Sequence, residues 1–433
     1  MKRVLSSELR EYAGQKVMMQ GWAHRIRRLG NVTFIVLRDR GGLGQAVVEG
    51  DQMDAAQVTN ESVIQIQGSV RLEDRAPSGV ELQVSSLEII GQPAEPPPIA
   101  VNSKHICSTA RLDTLLKHRA ISLRNPEIRS VFKVQAEIMT AFRDFLMDRG
   151  FTEISTPKIV SSATEGGAEL FPVQYFEQKA YLAQSPQLYK QIMVGSGFER
   201  VFEVGKAYRA ENHNTARHIN EFISLDYEMG FIEDEQDVMR MEVELLRYMF
   251  ERVRETCSEE LKTYDAQVPE ITEIPQIQLM EAKEKLKELY GATNSEEGDL
   301  NPEEERKLCE YSQREYGSEL IYVTHYPRSK RPAYAMPDSE DPALTRSFDL
   351  LFRGLEITTG GQRIHEYDLL VESFRSRGLD IADFGSYLEA FKYGMPPHGG
   401  LAIGAERLTM KLLGLKNIRE ACLFPRDRTR LTP

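Results

Sequence analysis

The sequence has few cysteines, no long apolar run and no excess of basic residues, and each shortage narrows the class of protein. Only four of its 433 residues are cysteines, namely Cys107, Cys257, Cys309 and Cys422. Their spacing fits neither a zinc site nor a disulfide framework, so we expect a reducing compartment and no structural zinc. No stretch resembles a signal peptide or a membrane span, which predicts a cytoplasmic protein without a membrane partner. We find no internal repeats and no low-complexity tracts.

The net charge is −12, whereas proteins that bind nucleic acid usually carry an excess of lysine and arginine. The acidity is local. Residues 1–105 hold 12 basic and 12 acidic side chains, but residues 231–310 hold 10 basic and 23 acidic ones, a balance of −13. We interpret the acidic runs at 233–235, 295–297 and 303–305 as solvated helix starts and faces. Because local charge decides binding, a nucleic-acid partner stays possible elsewhere on the chain.

The first hundred residues have the pattern of a small barrel. Five β runs are predicted at 17–22, 34–39, 45–48, 63–70 and 80–90, with one helical stretch near 51–58 between the third and fourth. This order fits an OB-fold. Prolines at 93, 96, 97 and 98 then form a stiff connector. We therefore predict an OB-fold domain over 1–100, a hinge or linker over 101–125, and a second domain over 126–433 that includes the acidic helical region at about 231–310.

The second domain is predicted to be α+β. Asn125-Pro126 starts an amphipathic helix that ends at Gly150, and a strand closed by Pro157 follows it. Further β runs are predicted around Tyr181, Val201, Ser224, Phe348 and Ala402, with helices at 234–255 and around 281–289. Strands grouped around inserted helices indicate a mainly antiparallel sheet flanked by helices.

Two motifs in this domain have the residues that a bound nucleotide requires. Tyr208-Arg209-Ala210-Glu211 leads through a polar turn to Phe222, which places an arginine fork, a carboxylate and an aromatic ring on two short strands. An arginine fork matches phosphate geometry better than a lysine does. The second motif, at 399–407, is a glycine-spaced apolar strand that ends in Arg407 as a helix begins.

With the helix-Gly-Phe-strand-Pro corner at 126–157, these motifs resemble the three signature motifs of the class II aminoacyl-tRNA synthetases. The resemblance covers nearly the whole chain, from about residue 3 to its end. It implies an N-terminal OB-fold β-barrel that binds the anticodon and a class II catalytic domain that dimerises through the first motif. It also implies an enzyme that uses ATP and Mg²⁺ to form an aminoacyl-adenylate. Taken alone, the first motif is simply a helix-strand corner.

The resemblance also assigns residues around ATP. Arg209 would bind the α-phosphate, Phe222 and Arg407 would cover the two faces of adenine, and His218 would lie near the γ-phosphate. Glu211 would accept from the adenine amino group or orient the terminal tRNA nucleotide. The implied ATP-binding set is Arg209, Glu211, Arg217, His218, Phe222, Glu356, Gly404 and Arg407, of which Arg209, Glu356 and Arg407 are the catalytic residues. Without the partner motifs, the arginines would be surface ion-pair partners and Phe222 a core residue.

Magnesium prefers carboxylate oxygens, water and substrate phosphates. The resemblance makes Glu356 a metal ligand, and Thr359 stands where the family often has serine, so a hydroxyl is kept. Asp349, seven residues before Glu356, is either a third ligand or a structural carboxylate.

The segment 183–191 resembles the aspartyl branch of the family, and Lys190 is its discriminating residue. Lys190 and Arg363 would clamp the side-chain carboxylate of L-aspartate, whereas asparagine would leave buried cations unpaired. Gln187 and Asp226 would orient the substrate. The implied aspartate-binding set is Glu165, Gln187, Lys190, Asp226, Thr359 and Arg363, in which Glu165 meets the ammonium group from a Gly-Gly loop.

An OB-fold binds single strands by stacking bases on aromatic side chains beside cations. The anticodon residues implied by the resemblance are His24, Arg25, Phe34, Pro77 and Glu81, with Phe34 stacking on the central base. His24 and Pro77 resemble the residues of archaeal-type aspartyl enzymes that accept both tRNA(Asp) and tRNA(Asn). The simpler interpretations are that Phe34 is a core residue, His24 a half-buried strand residue and Pro77 a turn former.

The predicted function is therefore aspartate-tRNA ligation, with ATP, L-aspartate, tRNA(Asp) and also tRNA(Asn) as partners of a homodimer. Three alternatives remain. The enzyme could be strict for tRNA(Asp), or it could be a paralogue that activates aspartate for a small acceptor, although such paralogues commonly lose the anticodon domain. A non-catalytic RNA-binding protein should have lost one of the catalytic residues, and none is missing.

Overall fold

The computed structural model describes residues 2–50, 54–76, 78–162, 169–212, 214–291 and 298–433. The chain forms two compact units, Met1–Arg129 together with Pro433, and Ser130–Thr432. This division groups residues 101–129 with the N-terminal unit, while the predicted boundaries at 100 and 125 stay predictions. In the described part of the chain, no helix has both the length and the apolar character needed to cross a bilayer.

The N-terminal unit contains a closed five-stranded barrel. Its strands are β1 (Lys16–Leu29), β2 (Val32–Arg38), β3 (Leu43–Glu49), β4 (Val63–Leu72) and β5 (Val80–Gly91). They close in the order β1-β2-β3-β5-β4, and every neighbouring pair is antiparallel except β3 and β5. Alternate residues face the interior, where Met19, Ile35, Leu37 and Ile64 are fully buried. The predicted OB-fold barrel is confirmed. Of the helical stretch predicted near 51–58, a single 3₁₀ turn is present at Asp54–Ala56, and 51–53 lie outside the described residues.

The segment predicted as a linker contains three short helices, α1 (Ile106–Thr109), α2 (Leu112–Lys117) and α3 (Arg119–Ser122). The long helix α4 (Pro126–Asp148) follows, as the sequence predicts. Asn125 caps it, because its side-chain oxygen accepts from the Glu127 backbone N–H at 2.8 Å. The same amide group donates to the carbonyls of Val101 and Ser103, at 2.7 and 2.8 Å, and so fixes the start of the helix.

The larger unit is built on an eight-stranded sheet. In chain order its elements are β6 (Thr152–Glu153), β7 (Ile159–Val160), β8 (Pro172–Tyr175), β9 (Gln178–Leu182), α5 (Gln187–Met193), β10 (Arg200–Tyr208), β11 (Glu221–Gly230), α6 (Glu235–Thr256), α7 (Ser258–Thr263), β12 (Gln276–Gln278), α8 (Leu279–Tyr290), α9 (Pro302–Tyr316), β13 (Leu320–Thr324), β14 (Ser347–Phe352), β15 (Leu355–Arg363), α10 (Tyr367–Ser376), α11 (Gly385–Lys392), β16 (His398–Gly404) and α12 (Ala405–Leu412). The sheet order is β12-β13-β14-β15-β16-β11-β10-β6, and β7, β9 and β8 form a small second sheet.

The predicted sheet type is confirmed, since only the outermost pairs β12–β13 and β10–β6 are parallel. One face of the sheet packs on α4 and α6 through fully buried side chains such as Phe142, Phe202, Leu245 and Phe250. The rings of Phe142 and Phe202 meet edge to face with centroids 5.9 Å apart. This packing holds the central strands β15, β16 and β11 in fixed register, and those strands carry the candidate site.

The prediction that the acidic runs are solvated is wrong for part of them. Glu304 and Glu305, in the first turn of α9, are 0% and 7% exposed, and Glu235 is also buried. Glu304 forms an ion pair with Lys283 at 2.9 Å and accepts from the Asn301 backbone N–H in a capping box. A buried carboxylate is stable only with such partners. Residues 296 and 297 lie outside the described residues.

Candidate active site

The two arginine-bearing motifs lie side by side at the centre of the sheet. β10 and β11 pair antiparallel, and Tyr208 and Glu221 form the last pair. Residues 209–220, which include Arg209, connect the two strands beyond this pair. β16 pairs with β11 on one side and with β15 on the other, and it leads directly into α12. All eight predicted ATP-binding residues line one cleft at this place: Arg209, Glu211, Arg217, His218, Phe222, Glu356, Gly404 and Arg407.

The polar turn after β10 is held by hydrogen bonds from Arg419, near the end of the chain. The Arg419 guanidinium donates to the Thr215 carbonyl at 2.9 Å and to Asn214 Oδ1 at 2.6 Å. Asp427 fixes Arg419 in turn, with 2.6 Å between the Arg419 Nε and an Asp427 oxygen. The sequence analysis missed this arginine, because nothing in the chain order indicates that residues two hundred positions apart meet.

Within the cleft, an aromatic ring lies near an arginine. The centre of the Arg209 guanidinium is 5.5 Å from the centroid of the Phe222 ring. Arg407 lines the same cleft, where its Nη1 donates to the Glu356 carbonyl at 2.9 Å and lies 3.4 Å from Glu356 Oε1. His218 Nδ1 is 2.7 Å from the Thr215 hydroxyl. The arrangement provides an aromatic face beside cations, which suits a purine base joined to phosphates.

Of the predicted metal ligands, Glu356 and Thr359 line the cleft. The Thr359 hydroxyl donates to Glu356 Oε1 at 3.0 Å. Burial alone would raise the pKa of Glu356, but Arg407, the Thr359 hydroxyl and Arg331 together hold it below its ordinary value, so the group is a carboxylate at neutral pH. Asp349 faces Thr359 across β14 and β15 and is buried against Arg331 at 2.7 Å. Since Mg²⁺ commonly takes one or two carboxylates together with substrate phosphates, this donor set fits Mg²⁺.

A second pocket shares Arg209, Glu356 and Thr359 with the first. Four of the predicted aspartate-binding residues line it: Gln187, Asp226, Thr359 and Arg363. Glu165 lies outside the described residues. Lys190 is 1% exposed, and its ammonium group donates to Asp226 at 3.1 Å and to the carbonyls of Tyr227 and Leu401 at 3.3 and 3.0 Å. Its three donors are therefore directed at protein acceptors.

Lys190, Asp226, Glu228 and Arg363 form a buried ionic cluster of two cations and two anions. Lys190 Nζ lies 3.3 Å from Glu228 Oε2, and Arg363 Nε lies 2.9 Å from Glu228 Oε1. Burial alone would raise the pKa of Glu228, but Arg363 and Lys190 more than offset this, so its pKa is low and it stays ionised. A glycine is required at position 400, because a Cβ there would lie 2.1 Å from the backbone carbonyl oxygen of Tyr227 and 2.3 Å from Glu228 Oε2. The sequence analysis missed Glu228, although its position two residues after Asp226 on one strand indicates the same face.

Two further charged residues at the site come from distant segments. Arg331 pairs with Asp349, and its guanidinium lies 3.7 Å from the centroid of the Tyr326 ring. Glu305 forms an ion pair with Arg217. Burial raises the pKa of Glu305 to about 7, although Arg217 lowers it. No pattern in the sequence distinguishes these residues from ordinary surface charges.

The predicted anticodon residues in the N-terminal unit differ in accessibility. Arg25 is exposed and donates to the Asn102 carbonyl at 2.9 Å, and Phe34 on β2 is half-buried opposite Arg27. Glu81 is buried and accepts hydrogen bonds from Gln45 and Gln83, at 3.1 and 2.9 Å. Pro77 lies outside the described residues.

His24 is also buried, at 5% exposure. Its Nδ1 lies 3.0 Å from Arg38 Nη1, and Arg38 pairs with Glu61 at 2.8 Å. Burial and then the Arg38 charge lower the pKa of His24 to about 4, so the ring is neutral at pH 7 and Nδ1 accepts the hydrogen bond from Arg38. Any effect of His24 on a bound tRNA would therefore pass through this network.

Comparison with known proteins agrees with this geometry. Residues 111–428 match the family described as class II tRNA synthetases (D, K and N), and residues 17–90 match the OB-fold nucleic acid binding domain. The chain belongs to the class II aminoacyl-tRNA synthetases, and within them to the family of the aspartate–tRNA ligases. The predicted family, fold and enzyme class are thereby confirmed.

The relatives include both tRNA specificities. The chain is 50% identical to the aspartate–tRNA(Asp/Asn) ligase of Deinococcus radiodurans, covering 100% of this chain and 99% of that protein. It is 43% identical to the aspartate–tRNA(Asp) ligase of Pyrococcus abyssi, covering 99% of each. Among solved structures, the asparaginyl-tRNA synthetase of Pyrococcus horikoshii, complexed with asparaginyl-adenylate, superposes with a TM-score of 0.93 at 33% identity over all of both chains.

Proposed function

We propose that the chain activates L-aspartate with ATP and transfers it to tRNA(Asp) and tRNA(Asn). The observation that carries this proposal is the position of Arg363 and Gln187 in a pocket that adjoins the arginine-lined cleft. A small diacid and a nucleotide can therefore lie next to each other, with Arg209 lining both spaces. The 50% identity to an aspartate–tRNA(Asp/Asn) ligase supports both the amino acid and the pair of tRNAs.

In the first step, an oxygen of the aspartate α-carboxylate attacks the α-phosphorus of ATP, and the bond to the pyrophosphate oxygen breaks. Arg209 binds the α-phosphate, where negative charge builds up. Phe222 and Arg407 hold the adenine between them, Glu211 accepts from the adenine amino group, and Gly404 leaves room at the strand end. Arg217 and His218 meet the outer phosphates. Positioning and charge neutralisation supply most of the rate, so no protein nucleophile is needed.

Glu356, Thr359 and Asp349 would hold Mg²⁺ when the nucleotide is bound. When bound, the ion would neutralise part of the negative charge on the phosphates. Glu356 is suited to this because the pKa shift described above keeps it ionised. Asp349 also pairs with Arg331, which fixes the position of its carboxylate.

In the aspartate pocket, Arg363 meets the side-chain carboxylate, with Gln187 and Asp226 orienting the substrate and Glu165 closing over its ammonium group. Direct contact between Lys190 and the substrate stays a prediction, since the lysine would have to exchange a protein partner. In its observed position it neutralises Asp226 and Glu228, so that Arg363 faces an anionic substrate without a net negative charge beneath it.

In the second step, the 3′-hydroxyl of the terminal tRNA adenosine attacks the aspartyl carbonyl, and AMP leaves. We propose that the barrel binds the anticodon through Arg25 and Phe34, with His24, Pro77 and Glu81 shaping its choice of tRNA. We further propose a cytoplasmic homodimer that associates through α4 and β6, the counterpart of the first class II motif.

Two assays on the purified protein test this function. Aspartate-dependent exchange of pyrophosphate into ATP should be observed, and asparagine should support far less of it. Aspartylation should then occur on both tRNA(Asp) and tRNA(Asn). Charging of tRNA(Asp) alone would favour the strict enzyme, and exchange without charging of either tRNA would favour a paralogue with a non-tRNA acceptor. Absence of exchange would reject the proposal altogether.

A further inference from the structure

Glu305 joins three parts of the site that are distant in sequence. It lies in the first turn of α9, within the acidic region. Its Oε2 accepts from the guanidinium of Arg217, which comes from the turn between β10 and β11. The same oxygen accepts from the backbone N–H of Glu356 on β15, at 3.2 Å. One carboxylate oxygen therefore connects the phosphate end of the ATP cleft to the strand that carries the proposed metal ligand.

The burial of these groups indicates a fixed arrangement. Glu305 is 7% exposed, and its carboxylate is anchored by a helix that Asn301 caps through hydrogen bonds to the N–H groups of Glu303 and Glu304. The Arg217 side chain is 20% exposed, and its Nε is buried without a hydrogen-bond partner among the described residues. An arginine on an exposed turn would ordinarily lose considerable rotamer freedom on binding a phosphate. The ion pair restricts the Arg217 side chain before the nucleotide binds, because the carboxylate that holds it belongs to α9 and not to the turn that carries Arg217.

We propose that Glu305 is a positioning residue that holds Arg217 at the outer-phosphate end of the ATP site. It acts through Arg217 and does not itself touch the substrate. The proposal rests on the proposed function, in which Arg217 meets the outer phosphates. It also assigns a role to the acidic helical region, whose α9 supplies this carboxylate to the catalytic cleft.

The test compares ATP with AMP, which lacks the outer phosphates. Glu305→Gln keeps the size of the side chain and an oxygen for the Glu356 N–H, but it loses the charge that holds Arg217. In aspartate-dependent pyrophosphate exchange, the KM for ATP should rise about tenfold, which corresponds to about 1.4 kcal/mol. The KM for aspartate and the inhibition constant of AMP should stay within about twofold of wild type.

Glu303→Gln is the matched control. It makes the same chemical change two residues earlier on α9, but Glu303 is 63% exposed and pairs with Lys307 on its own helix at 2.9 Å. This variant should leave the KM for ATP unchanged. In an Arg217→Ala background, Glu305→Gln should add little further rise, because the residue it positions is already absent.

Equal rises in the KM for ATP and the inhibition constant of AMP would overturn the proposal, and so would no rise in either. An additive effect in the Arg217→Ala background would also overturn it. If Glu305→Gln does not fold, Glu305→Asp provides the test, since it keeps the charge on a shorter stem and should give a smaller rise for ATP with AMP unaffected. Absence of exchange in the wild type would instead reject the proposed function, so the two failures are distinguishable.

Discussion

Replacing Lys190 by methionine tests the role of the buried ionic cluster. Methionine has a similar length and no charge, so the change removes one cation from a group of two cations and two anions. Asp226, which lines the aspartate pocket, and the buried Glu228 would then have only Arg363 to balance them. The cluster would carry one net negative charge, next to a site that must accept an anionic side chain.

The expected magnitudes follow from these contacts. Removing one partner of a buried ion pair commonly destabilises a protein by about 3–5 kcal/mol, because the other charge stays buried. For the substrate, an unbalanced charge at roughly 5 Å with an effective dielectric constant of ~20 repels a carboxylate by about 3 kcal/mol. At about 1.4 kcal/mol per factor of ten, kcat/KM for aspartate should fall by about a hundredfold. Asparagine has a neutral side chain, so its kcat/KM should fall much less.

The assay is pyrophosphate exchange with each amino acid, at a temperature where denaturant unfolding shows the variant to be folded. The ratio of kcat/KM for aspartate to that for asparagine should decrease, while the KM for ATP stays close to that of the wild type. Lys206→Met is a suitable control, because Lys206 is exposed on β10 and pairs with Glu221 at 3.4 Å. Equal losses for aspartate, asparagine and ATP would refute the reasoning, since they would indicate general damage to the site.

Three further changes probe other parts of the molecule. Arg419→Ala removes the hydrogen bonds to Asn214 and Thr215 that hold the turn between β10 and β11. The KM for ATP should therefore rise about tenfold, while the KM for aspartate stays unchanged. An unaltered KM for ATP would contradict this role of Arg419. Glu356→Gln should increase the Mg²⁺ concentration needed for half-maximal exchange by at least tenfold, as a titration against chelator would measure, whereas an unchanged requirement would exclude Glu356 as a ligand. His24 has a pKa near 4 in the folded protein and an ordinary value of 6.5 when unfolded, so the unfolded chain binds more protons between these pH values. The neutral His24 therefore contributes its full stability above pH 6.5, and about 2–3 kcal/mol of this is lost as the pH falls toward 4. In denaturant unfolding, the stability of His24→Asn should depend less on pH than that of the wild type. Equal slopes of stability against pH would refute the assignment.

The barrel and the sheet could be predicted because their signals are local. Alternating apolar residues define the strands β1 to β5, and the proline-rich stretch marks where the barrel ends. The two arginine motifs were also recognisable, since Arg209 directly follows β10 and Phe222 lies on β11, the other strand of the same hairpin. In such cases the residues that act together are close in sequence or follow a short period.

The charged partners could not be predicted, because they are far in sequence from the residues that they contact. Glu305 on α9 pairs with Arg217 at the cleft, and Arg331 lines the aspartate pocket from the segment before β14. The sequence context of both residues is that of solvated charges. Glu304 shows how this misleads, because an acidic first turn usually faces water, and here Lys283 and the helix cap bury it. Tertiary contacts decide such positions, and a single sequence does not reveal them.

The ionic cluster also changes how selection against asparagine has to be explained. If Lys190 and Arg363 were unpaired in the free protein, rejection would follow from leaving two buried cations without anions. Both cations already contact Asp226 or Glu228, so neither substrate leaves an isolated charge. Selection must then depend on the local electrostatic potential at the Arg363 end of the pocket. This potential stays favourable to an anion only while Lys190 neutralises Asp226 and Glu228. The lysine can thus determine the amino acid without touching it, and the change in the aspartate-to-asparagine ratio is the measurement that separates this explanation from direct contact.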